Sequence, residues 1–240
     1  MNSFSLGRVA VIAAACLVFA YLAIEQSQES TPVDQQPSTP QINAQPNTQD
    51  GEGAFDFYVL ALSWSPSYCA SEGKNADPQQ CGRGKPRGFV VHGLWPQFER
   101  GYPEYCDAGP SDVPRSISNT LSDVMPSRGL ASYQWRKHGS CSGLSQKAYF
   151  DLLQAAYRKV NIPKRYQPSG REEHVNPKAL EDAFVISNPG LPAQGVAVTC
   201  DRRYLREVRI CMTGDLEFRK CPDVDRQQCR QNKVLMPGAA

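Results

Sequence analysis

The pattern of apolar and polar positions divides the chain into three parts. Residues 9–24 form one uninterrupted apolar run, with Arg8 as the only charge before it and Glu25 and Glu29 after it. Residues 25–53 are rich in Gln, Pro, Ser, Thr and Asn, with almost no large apolar side chains. Beyond them the pattern is that of a folded chain. Phe55–Trp64 is a dense stretch of aromatic and branched residues and predicts a largely buried strand. Gly88–His92 predicts a second strand. Val196–Cys200, Leu205–Met212 and Asp215–Arg219 predict three short ones, with Asp201 and Gly214 near the turns. Ala148, Leu152, Ala155 and Ala156 recur at helical spacing, so a helix is predicted over Ser145–Val160 with Ser145 as N-cap. Asn176–Ile186 predicts another, capped by Asn176 with Pro177 in its first turn. Ser132–His138 predicts a third. Strands and helices in this mixture imply an α+β domain with a mainly antiparallel sheet.

The first 24 residues read as a secretory signal peptide or an uncleaved signal anchor. The run of 16 residues is slightly short of the roughly 20 that span a bilayer. Membrane anchoring through residues 9–24 is therefore one expectation, and release after cleavage the other. Residues 25–53 cannot bury enough area to offset their ordering entropy and read as a flexible linker. Its random-coil span would be roughly 30 Å. The folded part is then residues 54–240. It shows no second linker and no internal repeat, so it is expected to be one domain. Only one apolar run is long enough to consider as a span, which excludes a multi-span membrane protein.

Charge changes meaning once the chain is divided. The whole carries a net +2, but residues 1–53 hold one base and five acids, and residues 54–240 hold 25 bases and 19 acids. The folding part is thus +6, a balance suited to a polyanionic partner. Arg202, Arg203, Arg206 and Arg209 form one basic group, read first as solvated strand residues and second as distant phosphate contacts.

Nine cysteines are too many for an ordinary reduced domain. Setting aside Cys16 in the apolar run leaves eight. Cys69 and Cys81 flank a polar loop. Cys200 and Cys229 lie outside Cys211 and Cys221, a nesting that suits two bridges on a hairpin. Cys106 and Cys141 are left to pair. Each lies shortly after a histidine-containing segment, so this bridge would hold the two segments together.

Those segments are Phe89-Val90-Val91-His92-Gly93-Leu94-Trp95-Pro96-Gln97 and Tyr133-Gln134-Trp135-Arg136-Lys137-His138-Gly139-Ser140-Cys141. They contain two of the three histidines in the chain. Two histidines make an acid–base pair that works near neutral pH without a metal. Lys137 and Arg136 can offset charge on a phosphorane-like transition state. On a helix Gln134 and His138 share a face. A zinc site built from His92, Cys106, His138 and Cys141 is the chemical competitor. It lacks any Cys-x-x-Cys or His-x-x-x-His pair, and oxidised cysteines cannot ligate zinc as thiolates. The third histidine, His174, reads as a surface residue before the Asn176-capped helix.

His92-Gly93-Leu94-Trp95-Pro96 and Trp135-Arg136-Lys137-His138-Gly139-Ser140-Cys141, in this order, resemble the two active-site segments of the T2 family of ribonucleases. The likeness runs from about Phe55 to the C-terminal cysteines and is strongest to bacterial, periplasmic members. It implies a disulfide-stabilised α+β fold and endonucleolytic cleavage of RNA by attack of the ribose 2′-OH, through a 2′,3′-cyclic phosphate to a 3′-phosphate. It implies His138 as general base, His92 as general acid and Lys137 as the charge stabiliser. Trp95 would stack on a base, joined by Tyr102. No cofactor or metal is implied. The expected partner is RNA, acting on a monomer in the periplasm or outside the cell. Two positions depart from the family. Gln134 stands where a Glu is usual, and Gln97 replaces the acidic residue two positions after the Trp. Gln134 cannot exchange a proton, so a noncatalytic RNA-binding or protein-interaction module is the alternative function.

Overall fold

The computed structural model describes residues 54–82, 86–106 and 109–239. The expected export segment and linker lie outside the described residues. Strand β1 (Phe57–Trp64) is the centre of the fold. Tyr58, Leu60, Leu62 and Trp64 point into the main core, while Phe57 and Val59 pack on the opposite face against Ala197, Cys211, Cys221 and Val224. Burial on both faces explains why the strand reads as an unbroken apolar run rather than an alternation.

The chain then forms helix α1 (Ser65–Glu72) and the single turn α2 (Pro78–Cys81) before returning as β2 (Phe89–Gln97). Helices α3 (Arg115–Thr120), α4 (Arg128–Lys137) and α5 (Gln146–Lys159) follow. Next come the short β3 (Glu173–Val175), helix α6 (Pro177–Ser187), β4 (Val196–Cys200) and β5 (Leu205–Met212). The turn α7 (Pro222–Asp225) and β6 (Val234–Met236) end the fold. The main sheet has the order β2-β1-β5-β4, with every neighbouring pair antiparallel, and β3 pairs with β6 in a second antiparallel sheet. The α+β class and antiparallel sheet agree with the sequence.

Local chemistry sets the helix starts. Ser145 accepts from Ala148 N at 3.3 Å and Asn176 from Ala179 N at 3.1 Å, as their positions predict. Ala148 itself is exposed, and Tyr149, Phe150, Leu152, Leu153 and Ala156 form the buried face of α5. Helix α4 begins four residues earlier than expected because Ser127 caps it, accepting from Leu130 N at 3.1 Å. The buried Glu181 of α6 accepts from Val198 N at 2.8 Å, which covers an edge donor of β4.

Two strand expectations change. β2 does not stop at His92 but runs through Leu94-Trp95-Pro96-Gln97. Pro96 is tolerated because β2 is an edge strand. Asp215–Arg219 forms no strand; only Phe218 makes an isolated bridge, to Met212. The chain turns back there through Leu216 at φ 62°, with Leu216 N donating to Thr213 O at 3.0 Å. All four disulfides expected from spacing are present: Cys69–Cys81, Cys106–Cys141, Cys200–Cys229 and Cys211–Cys221. Cys221 precedes α7 rather than lying on a strand.

Candidate active site

The β1–β2 ladder is regular except at one place. Ala61 faces Gly93 and Leu62 faces Val91, so His92 is an extra residue bulged out of register. A bulge bends its strand and re-aims the side chain. Phe89, Val91 and Leu94 enter the main core, whereas His92, Trp95 and Gln97 line a cleft of about 340 Å³ on the other face.

Helix α4 supplies the opposite wall. His138 is its C-cap, with φ −125° and ψ −50°, and its N–H donates to Gln134 O at 2.9 Å. The chain must then turn sharply past Trp135 and Tyr149. A Cβ at Gly139 would lie 2.7 Å from the Trp135 ring and 2.8 Å from that of Tyr149, so glycine is required by close approach. Tyr149 in turn donates to Leu94 O at 2.7 Å, fastening α5 to the strand that bears His92. The loop after β2 is held to the end of α4 by the Cys106–Cys141 bridge and by Tyr105 N donating to Lys137 O at 2.9 Å.

Trp95 stands between the two histidines. Its ring centroid is 5.4 Å from that of His92 and 5.3 Å from that of His138. Its Nε1–H donates to Gln134 Oε1 at 2.7 Å, and a Cβ on Gly93 would overlap both groups. Gln134 is buried and spends its carbonyl oxygen on orienting the indole, a task an uncharged amide performs as well as a carboxylate. Tyr102 packs 5.7 Å from His138 and remains half exposed at the mouth. Gln97 is buried at the floor, with Nε2 donating to Pro96 O at 3.0 Å. Lys137 reaches the same cleft, 3.5 Å from Glu104. Against a burial penalty, Tyr133, Tyr102, Glu104 and Tyr105 hold its ammonium above the usual lysine range. All seven residues singled out as catalytic or substrate-binding thus meet in one cleft.

The electrostatics of the two histidines differ. His138 is only 6% exposed, and its Nδ1 is buried without a hydrogen-bond partner. Burial first, then the charges of Lys137 and His92, lower its pKa to about 3. It is therefore neutral across the physiological range. His92 Nδ1 instead meets the carboxylate of Glu207, a residue on β5 that the sequence did not flag. Burial works against ionisation of Glu207, but the His92 hydrogen bond and Arg209 outweigh it and hold the pKa at about 2. Arg209 is likewise more than a solvated strand residue: its guanidinium lies 5.2 Å from the Trp95 ring centroid, inside the cleft. Neither role has a local sequence signal, because both depend on which strand lies beside β1. The zinc alternative loses its thiolates, since Cys106 and Cys141 are bonded to each other. Among the described residues no group of three or more His, Cys, Asp or Glu side chains is placed to hold a metal.

A Ribonuclease T2 family model matches residues 55–221. The chain belongs to the ribonuclease T2 family. It is an endoribonuclease of that family by membership. A relative, "Ribonuclease" from Aeromonas hydrophila, is 38% identical over 178 residues, covering 68% of this chain and 74% of its own. "Ribonuclease I" from Escherichia coli K12 is 26% identical over 206 residues, covering 68% of this chain and 77% of its own. Among solved structures, an RNase-related protein from Calystegia sepium superposes with a TM-score of 0.60 at 26% identity. That match covers 76% of this chain and 97% of the plant protein. The match to this T2 fold extends over most of the described domain.

Proposed function

We propose that the enzyme cleaves RNA by internal transphosphorylation, with two histidines and no metal. Neutral His138 takes the proton of a ribose 2′-OH as its oxygen attacks the adjacent phosphate. His92, protonated, gives a proton to the departing 5′-oxygen. The products are a 2′,3′-cyclic phosphate and a free 5′-OH, and water opens the cyclic ester in a second step to a 3′-phosphate. Lys137 offsets the charge that gathers on the equatorial phosphate oxygens. Trp95, with Tyr102 at the mouth, stacks on a base. DNA lacks the nucleophilic 2′-OH and is not cut.

The observation that carries this reading is the asymmetry of the pair. One histidine is buried, unpartnered and neutral, and the other rests against an ionised carboxylate, with one indole between them. Such divergent environments are what separate a base from an acid. Gln134 does not argue against catalysis, because its contact is to Trp95 and needs no charge. Four disulfides and the N-terminal apolar run support an exported, oxidising location, periplasmic or extracellular.

The test is incubation of the purified protein with single-stranded RNA and analysis of the ends. Cyclic phosphate ends that persist in EDTA are expected, with His92→Ala and His138→Ala each lowering the rate by on the order of 10²–10⁴. Full activity in either variant, or loss in EDTA restored by zinc, would overturn the mechanism.

A further inference from the structure

The carboxylate behind His92 comes from far away in sequence, and the sheet explains how it arrives. Glu207 is paired with Ser63, and Arg209 with Ala61, across the β1–β5 ladder. His92 lies on the other side of β1, bulged toward the same face. The two β1 residues between them, Ala61 and Ser63, are small, so the histidine and the carboxylate meet over the strand. One oxygen of Glu207 takes the His92 Nδ1 contact; the other accepts from Arg209 Nε at 2.9 Å and lies 2.9 Å from its Nη2. Arg209 also donates from Nη1 to Gln227 Oε1 at 3.0 Å and lies over the Trp95 ring.

The direction of the hydrogen bond follows from charge. Glu207 is ionised through the working pH range, and an ionised carboxylate only accepts. Nδ1 must therefore carry the hydrogen, and Nε2 is the nitrogen left free for the cleft. We propose that Glu207 is the positioning residue of the general acid: it fixes the tautomer and ring orientation of His92, while Arg209 ties this support to Trp95. This rests on the reading of His92 as the acid. In the cleavage step the proton passes from Nε2 to the 5′-oxygen as its bond to phosphorus breaks. The ring is left neutral, still donating from Nδ1, and Glu207 gains no proton. In the second step Nε2 takes a proton from the attacking water.

Two substrates separate this role from a structural one. A dinucleotide needs its leaving alkoxide protonated, whereas a nucleoside 3′-(4-nitrophenyl phosphate) expels a stable phenolate that does not. In the intact enzyme, Glu207→Gln is expected to lower kcat on the dinucleotide about tenfold or more, with KM changed by no more than about twofold, and to leave the nitrophenyl ester nearly unaffected. His92→Ala should show the same selectivity with a larger loss. Equal losses of the Glu207 variant on both substrates, or none on either, would overturn the role of Glu207 while His92 keeps its selectivity. If His92→Ala itself shows no selectivity, the acid assignment falls and takes this proposal with it. Nitrogen NMR of unmodified protein gives a second measurement that no folding defect can confuse. The neutral His92 ring should carry its proton on Nδ1, and a proton on Nε2 would refute the dyad.

Discussion

Neutral His138 makes folding stability sensitive to mild acid in a way that a single substitution should remove. In the unfolded chain its imidazole titrates near about 6.5. In the folded chain burial, Lys137 and His92 keep the ring uncharged down to about pH 3. Between these values the unfolded state binds the extra proton, so stability is full above the unfolded pKa and falls as the pH drops. The slope approaches about 1.4 kcal/mol per pH unit. From about pH 7 to about pH 5 the loss from this residue is about 2 kcal/mol, and it depends only on the folded pKa lying below that lower limit. Glu207 acts in a more acidic window: its depressed pKa contributes stability above the ordinary Glu range that is lost only as the pH falls toward about 2. The assay is urea unfolding of the wild-type protein and His138→Asn at both pH values, disulfides intact. Asn does not titrate, so the wild type should lose about 2 kcal/mol more than the variant on acidification. Carboxylates common to both cancel in the comparison. Parallel losses, agreeing within a few tenths of a kcal/mol, would refute the claim that His138 is held neutral.

Two further outcomes follow from the same site. Gln134→Glu places a carboxylate one helical turn before His138 and should raise the His138 pKa, so the acidic limb of kcat/KM for RNA cleavage should move to higher pH; an unchanged limb would show that the two side chains do not interact. Cys106→Ala with Cys141→Ala opens a loop of 35 residues. It should cost about 3–4 kcal/mol in thermal or urea unfolding, and at a temperature where the variant stays folded it should still slow RNA cleavage, because the bridge adjoins His138.

Legibility in the sequence tracked how local each cause is. The caps at Ser145 and Asn176 were readable because an N-cap acts on residues two or three positions away. The disulfide pairs were readable because exported cysteines in a nested order leave few sensible partners. Six of the seven cleft residues were readable because two compact segments carry them, and Tyr102 came only from the family likeness. β2 beyond His92 was not: Gly-Leu-Trp-Pro looks like a turn, and only the edge position of the strand makes Pro96 acceptable. β3 and β6 were not, since each is three residues long and pairs across a wide gap in sequence. Glu207 was hidden for a related reason. In Leu205-Arg206-Glu207-Val208-Arg209 a carboxylate flanked by two arginines reads as part of a solvated, self-paired surface, and only the antiparallel neighbour β1 turns that face toward His92.

The extra residue at His92 also acts as a parity switch. Before it, odd-numbered side chains of β2, Phe89 and Val91, enter the core; after it, the even-numbered Leu94 does, and the odd-numbered Trp95 and Gln97 face the cleft. Without that one-residue change of phase the indole would be packed among the core side chains and Leu94 would line the cleft. A single-residue deletion anywhere between Val91 and Leu94 is thus a different kind of lesion from a point substitution. It would leave the alternation on both sides of it intact, with Leu94 still inward and Trp95 still outward, and would take away only the bulge that aims His92.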